Sequence, residues 1–176
     1  MKVSILLISL MIFQNQMTIF DSNKNSNNSN WRIVDDVVMG GQSNGTFYIT
    51  DAGKGIFSGN ISLENNGGFS MVQYAFETKN ISSFSKVSIY LKGDGKTYQF
   101  RVKSSIDDSY SYVISFETSG AWETIEIPFN TMYPSFRGRK LDKANYPGQQ
   151  LEMVAFLIGN KKEERFKLEI DSIVLK

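Results

Sequence analysis

Beyond Gly45 the chain is dominated by period-two alternation, with β-branched and aromatic residues on one side and polar ones on the other. A period of two marks strands with one buried face, and the 3.6-residue period of an amphipathic helix is scarce. The alternation predicts strands over Thr46 to Thr50, Gly55 to Leu63 and Phe69 to Glu77. Val87, Ile89 and Leu91 then alternate with Ser88, Tyr90 and Lys92, and Tyr98, Phe100 and Val102 alternate with Gln99, Arg101 and Lys103. Asp94-Gly95 lies between these two runs, and both residues tolerate positive φ, so the pair predicts a tight hairpin with the flanking strands as antiparallel neighbours. Tyr112 to Phe116, Ile125 to Ile127, Met153 to Ile158 and Phe166 to Ile170 bring the total to roughly nine strands. The parity of Phe166, Leu168 and Ile170 differs from that of Ile173 and Leu175, which predicts a β-bulge at Asp171-Ser172. Strands without intervening helices predict an all-β fold of two antiparallel sheets packed as a β-sandwich and closed as a jelly roll. The unpatterned segment from Asn130 to Gln150, with Pro134 and Pro147, predicts an ordered excursion over one end of the sandwich.

The N-terminus departs from this pattern. Lys2 precedes an almost wholly apolar run from Val3 to Phe13, the length of a signal-peptide core, and Gln14-Asn15-Gln16 interrupts it before Met17-Thr18-Ile19-Phe20. A spanning helix of about 20 residues would have to bury those three amides. Residues 1–20 therefore predict a signal peptide or an N-terminal membrane anchor, and hence a periplasmic, secreted or membrane-anchored protein. A mitochondrial presequence is arginine-rich, whereas the first arginine here is Arg32. Residues 21–30 are dominated by Asn and Ser and predict a disordered linker. The folded domain is then 31–176, with residues 1–30 contributing nothing to its core.

Composition narrows the chemistry. The 176 residues include 19 basic and 18 acidic ones, a net charge of +1, so no field of one sign favours nucleic acid. Histidine and cysteine are both absent, which removes thiolate nucleophiles, imidazole bases, the usual zinc sets and disulfides. No cofactor and no metal site is expected; Asp171 at the bulge, a lone carboxylate, is thin support for a structural calcium. Membrane contact is expected only through the N-terminal segment.

Three loops carry the candidate polar groups. The first, Trp31 to Gly45, holds the adjacent acids Asp35 and Asp36 beside Val37 and the Gly40-Gly41 pair. The second, Glu64 to Ser70, contains Asn66-Gly67-Gly68, and the third, Ser135 to Arg139, brings Arg137 and Arg139 within three positions. Carboxylates among valines need donors, and arginine offers a planar fork, so an acid of the first loop (Asp35 or Asp36) is expected to pair with an arginine of the third (Arg137 or Arg139), with Asp36 and Arg137 as the leading pair. That contact reads either as a structural tie between loops or as part of a ligand site. Tyr90 and Arg101, opposite the core parity, read either as a solvated sheet face or as a sugar-binding platform.

Trp31, Asp36-Val37-Val38-Met39-Gly40-Gly41 with Ser43, Phe57-Ser58-Gly59, Asn66-Gly67-Gly68-Phe69, Gly93 to Tyr98, Pro128-Phe129 and Phe136-Arg137-Gly138-Arg139 occur in the order characteristic of the complex I intermediate-associated protein 30 family. The chain resembles that family over residues 31 to 175. The resemblance implies a galactose-binding-domain-like jelly roll, similar to family 11 carbohydrate-binding modules, and a non-catalytic role; the mitochondrial members are assembly factors for respiratory complex I. On this reading the chain is an assembly factor or binding domain with an unidentified protein partner. The alternatives are a carbohydrate-binding module with a glycan ligand and a carboxylate-based glycosidase. The binding candidates are Asp36, Asn66, Arg137, Arg139, Tyr90 and Arg101, with no catalytic residue.

Overall fold

A computed structural model describes residues 15–22 and 28–176, and at residues 38 and 39 the backbone alone. The apolar run from Val3 to Phe13 and residues 23–27 of the expected linker lie outside the described residues. The described residues form thirteen strands: β1 (Met17–Asp21), β2 (Trp31–Asp35), β3 (Asn44–Ile49), β4 (Gly55–Ile61), β5 (Ser70–Asn80), β6 (Lys86–Lys92), β7 (Thr97–Lys103), β8 (Ser111–Glu117), β9 (Trp122–Pro128), β10 (Tyr133–Phe136), β11 (Arg139–Lys140), β12 (Gln150–Ile158) and β13 (Glu164–Leu175). Short 3-10 turns occupy Asp36–Met39, Glu64–Asn66 and Phe129–Thr131. No helix among the described residues is long and apolar enough to cross a membrane.

The strands make two antiparallel sheets. The first runs β3-β4-β13-β6-β9, and the second runs β11-β10-β8-β7-β12-β5-β2. Strand β13 is long enough to take two partners along one edge: Glu164 to Ile170 face β4, and Ser172 to Leu175 face β1. The register slips between Ile170 and Ser172 against β6, so the bulge lies where the change of parity predicts it. One core fills the space between the sheets. Val87, Ile89, Leu91, Phe57, Leu168 and Ile170 of the first sheet meet Tyr98, Phe100, Val102, Val154, Phe156 and Ile158 of the second, all of them buried.

Three expectations are corrected. The Gly93 to Lys96 segment is no hairpin, because β6 belongs to the first sheet and β7 to the second. Asp94 makes the crossing rigid: its carboxylate accepts from the Tyr98 hydroxyl (2.9 Å), Lys96 Nζ (2.7 Å) and the Lys167 amide (3.0 Å). Gly93 lies so close to Thr118 that a Cβ would fall 2.3 Å from its side chain, which suits glycine for a reason other than turn geometry. The domain does not begin at Asn30 either. Strand β1, placed by its sequence at the end of the expected leader, buries Ile19 and Phe20, and Phe20 sets its edge against Trp31 at 5.2 Å. Trp31 in turn stacks on Phe47 at 4.2 Å, so β1 closes one end of the core with an aromatic cluster. Finally, the first five residues of the Trp31 to Gly45 loop are a strand, β2, paired with β5.

Candidate functional site

The two loop acids are both occupied, and by main chain more than side chain. Asp36 is 1% exposed and accepts four hydrogen bonds, from the Ser43 amide (3.0 Å), the Ser43 hydroxyl (2.5 Å), the Gly68 amide (2.6 Å) and the Phe69 amide (3.2 Å). Asp35 accepts from the Gly45 amide (2.9 Å) and the Ser70 hydroxyl (2.5 Å). The loops close over the carboxylates too tightly for side chains. A Cβ on Gly41 would lie 2.3 Å from Asp36 Cγ, and one on Gly67 would lie 2.6 Å from its Oδ2. The expected pairing of Asp36 with Arg137 is therefore overturned: amides and a serine hydroxyl saturate the carboxylate, and no ion pair reaches it among the described residues. Burial opposes ionisation of Asp36, but the bonds from Ser43, Gly68 and Phe69 outweigh it and lower the pKa. A group held as carboxylate in this way is a poor general acid.

The remaining candidates do not converge. Asn66, exposed at φ 61°, serves with Asn65 (φ 55°) to turn the second loop, and Asn65 Nδ2 ties that loop to the Gly40 carbonyl at 2.9 Å. Tyr90 projects from the outer face of the first sheet, tilted against Trp122 at 5.3 Å; Lys54 lies 4.3 Å over Trp122 and bonds Asp171 at 2.6 Å. Lys54 and the Ser22 hydroxyl (3.0 Å) thus supply a positive charge and a donor to Asp171. Arg101 lies on β7 in the other sheet, so a platform combining Tyr90 with Arg101 does not exist. Arg137 lies in the turn between β10 and β11 and Arg139 directly follows it, both exposed.

Arg101 is the unusual group. Its Nε is buried and has no hydrogen-bond partner, and burial lowers its pKa, with the Tyr133 phenol acting the other way. The register sets Ala155 beside it on one side and Val113 on the other, with Gln73 beyond Ala155 and Tyr133 beyond Val113. Met153, Ala155, Leu157 and Val113 are buried although they are not part of the central core cluster. The outer face of the second sheet therefore has an apolar floor with a guanidinium set into it. The continuous apolar run Met153 to Ile158 is the sequence signal for this floor, since such a run means that both faces of β12 are covered. Tyr133, Gln73 and Val113 carry no comparable signal.

The sequence pattern of the complex I intermediate-associated protein 30 family matches residues 20–170. The mitochondrial complex I intermediate-associated protein 30 of Drosophila melanogaster is 26% identical over 170 residues, covering 82% of this chain and 57% of that protein. A probable counterpart from Caenorhabditis elegans, also named as mitochondrial, is 27% identical over 146 residues, covering 70% of this chain and 43% of its own length. The chain thus spans about half the length of the curated relatives it matches, and the mitochondrial names of those relatives leave the expected export without support. Among solved structures, the family 11 carbohydrate-binding module from Clostridium thermocellum in complex with a β-1,3-1,4-mixed-linked tetrasaccharide has a TM-score of 0.62 at 21% identity, covering 91% of this chain and 94% of that one. The family 11 module of the cellulosomal cellulase Lic26A-Cel5E has a TM-score of 0.63 at 20% identity, covering 92% of this chain and 94% of the module. At that identity the likeness is one of fold, and it agrees with the jelly roll expected from the alternation.

Proposed function

Because the chain belongs to the complex I intermediate-associated protein 30 family, we propose that it is a non-catalytic binding domain with an assembly-factor role, which holds a partner protein on the outer face of its second sheet. The buried, unpartnered Nε of Arg101 carries this reading. A buried donor without an acceptor is destabilising by about 1–3 kcal/mol, so its retention beneath the side chains that cover the sheet's outer face is accounted for by an acceptor that arrives when a partner displaces that cover. The guanidinium supplies direction through its fixed fork of donors. A mitochondrial address, which the relatives' names carry, accords with this role.

The test is affinity capture of the tagged protein from its native cells, with the native chain and Arg101→Met compared. Native protein should copurify with subunits of a membrane complex, and Arg101→Met should lose them while keeping its thermal midpoint. Equal recovery by the variant would remove Arg101 from the interface, and capture of glycans alone would replace the assembly role. A second reading, carbohydrate binding, rests on the exposed Tyr90 and its neighbour Trp122, which offer aromatic faces on the first sheet. Binding on a glycan array that is abolished by Tyr90→Ala would favour it.

A further inference from the structure

The β10–β11 hairpin carries a conformation that the fold gives no reason for. Phe136 pairs with Arg139, leaving Arg137-Gly138 as a two-residue turn with φ 49° and 77°. Positive φ at both central positions defines a type I′ turn, for which Asn-Gly, Asp-Gly or Gly-Gly is the low-strain choice. Arginine at the first position is strained, and its guanidinium makes no ion pair among the described residues to offset that. The guanidinium lies 5.3 Å from the ring of Phe136, which is itself 42% exposed.

The surroundings are cationic and aromatic together. Lys140 Nζ lies 5.4 Å over Tyr133, and Lys143 Nζ lies 5.0 Å over Tyr110. From Tyr133 to Lys143 the chain has four basic residues and a single acid, Asp142, whereas the chain as a whole is nearly balanced. Several lysines elsewhere are neutralised in place: Lys54 by Asp171, Lys86 by Glu126, Lys96 by Asp94 and Lys167 by Glu169. Strand β11 is also the end of its sheet. The Leu141 amide bonds the Pro134 carbonyl at 2.9 Å, and antiparallel alternation then turns the N–H and C=O of Lys140 outward to the free edge.

We propose that this hairpin is a docking edge for an extended acidic segment of a partner protein. The segment's backbone pairs with Lys140, its carboxylates meet Arg137 and Arg139, and an apolar side chain covers Phe136. One exposed phenylalanine is too little apolar surface to anchor the domain in a lipid bilayer, which favours a peptide over a membrane. This surface adjoins the face around Arg101 at Tyr133, but its binding is read on the isolated protein with variants of Arg137 and Arg139 alone, so either reading can fail without the other.

The test uses a short fluorescein-labelled peptide of alternating glutamate and valine, its glutamine–valine counterpart, and vesicles of phosphatidylcholine with phosphatidylglycerol. The acidic peptide should raise fluorescence anisotropy with the native protein and the neutral one should not. Arg137→Asn with Arg139→Gln should weaken binding about tenfold, as loss of two exposed charge contacts implies. Asparagine suits the turn, so the thermal midpoint should hold or rise by about 2 °C. Equal binding of both peptides, unchanged binding by the double variant, or sedimentation with anionic vesicles without peptide binding would overturn the proposal. A fall in the midpoint for Arg137→Asn alone would also overturn it, by making the guanidinium a structural group.

Discussion

Replacing Asp36 with alanine should destabilise the domain by roughly 3–5 kcal/mol, among the larger effects a single substitution produces. The figure follows from the donors aimed at one buried carboxylate: the amides of Ser43, Gly68 and Phe69 and the hydroxyl of Ser43. A hydrogen bond to a charged group contributes about 1.5–3 kcal/mol, so four independent bonds would give more than the expected loss. They are not independent. Gly68 and Phe69 are only half-buried, and water reaches their amides once the carboxylate is gone, whereas the Ser43 amide and hydroxyl stay enclosed. Urea denaturation followed by tryptophan fluorescence reads the loss directly, since Trp31 lies on the strand that leads into Asp36. In heat, the same loss lowers the midpoint by roughly 10 °C for a domain of this size. Arg137→Ala should be nearly neutral, and the double variant should equal the sum of the singles within about 0.5 kcal/mol, because the two side chains do not meet. A loss below about 1 kcal/mol for Asp36→Ala, or strong coupling to Arg137, would refute this account of the loops.

Three further outcomes follow from the same geometry. A chain shortened to begin at Asn30 should unfold at a markedly lower temperature than the full chain, because Ile19 and Phe20 each contribute about 1.5–3 kcal/mol by burial; an unchanged midpoint would mean that β1 is dispensable. The pKa of Asp36 is lower folded than unfolded, so its contribution is complete above the ordinary aspartate range and lost as pH falls through the folded value; Asp36→Asn should flatten the stability profile below about pH 4, and an unaltered acid limb would count against the assignment. Gly59→Ala should be strongly destabilising, since its Cβ would fall 2.0 Å from the Asn44 carbonyl oxygen on the neighbouring strand; wild-type unfolding by this variant would show that β3 and β4 can separate locally.

The sheets were legible because burial on one face imposes a period of two, and even the bulge at Asp171 is written as a change of parity. The partners of Asp36 were not legible. Arginine is visible in a sequence as a donor, whereas every residue but proline has an amide, so nothing distinguishes Gly68 or Phe69 until the loops are placed. The glycines pointed to tight loops, and Gly41 and Gly67 are tight because of what they enclose. Asp94-Gly95 misled because a turn signal fixes a local reversal and not the sheet in which the next strand lands. A five-residue strand and the tail of an apolar leader share one composition, which hid β1. The Arg137-Gly138 turn escaped for the opposite reason, lacking the asparagine or aspartate that usually marks a type I′ hairpin.

Strand β13 has one more implication. It lies at the middle of the first sheet, with β4, β1 and β6 all paired to it, and it follows all three in the chain. During synthesis, therefore, β1, β4 and β6 emerge with no common neighbour to join them, and Met17 waits for Leu175. Such distant pairings are slow to form, and apolar strands left open meanwhile are prone to associate with other chains. Loss of Glu164–Leu175 would not trim an edge but leave half the sandwich without its centre.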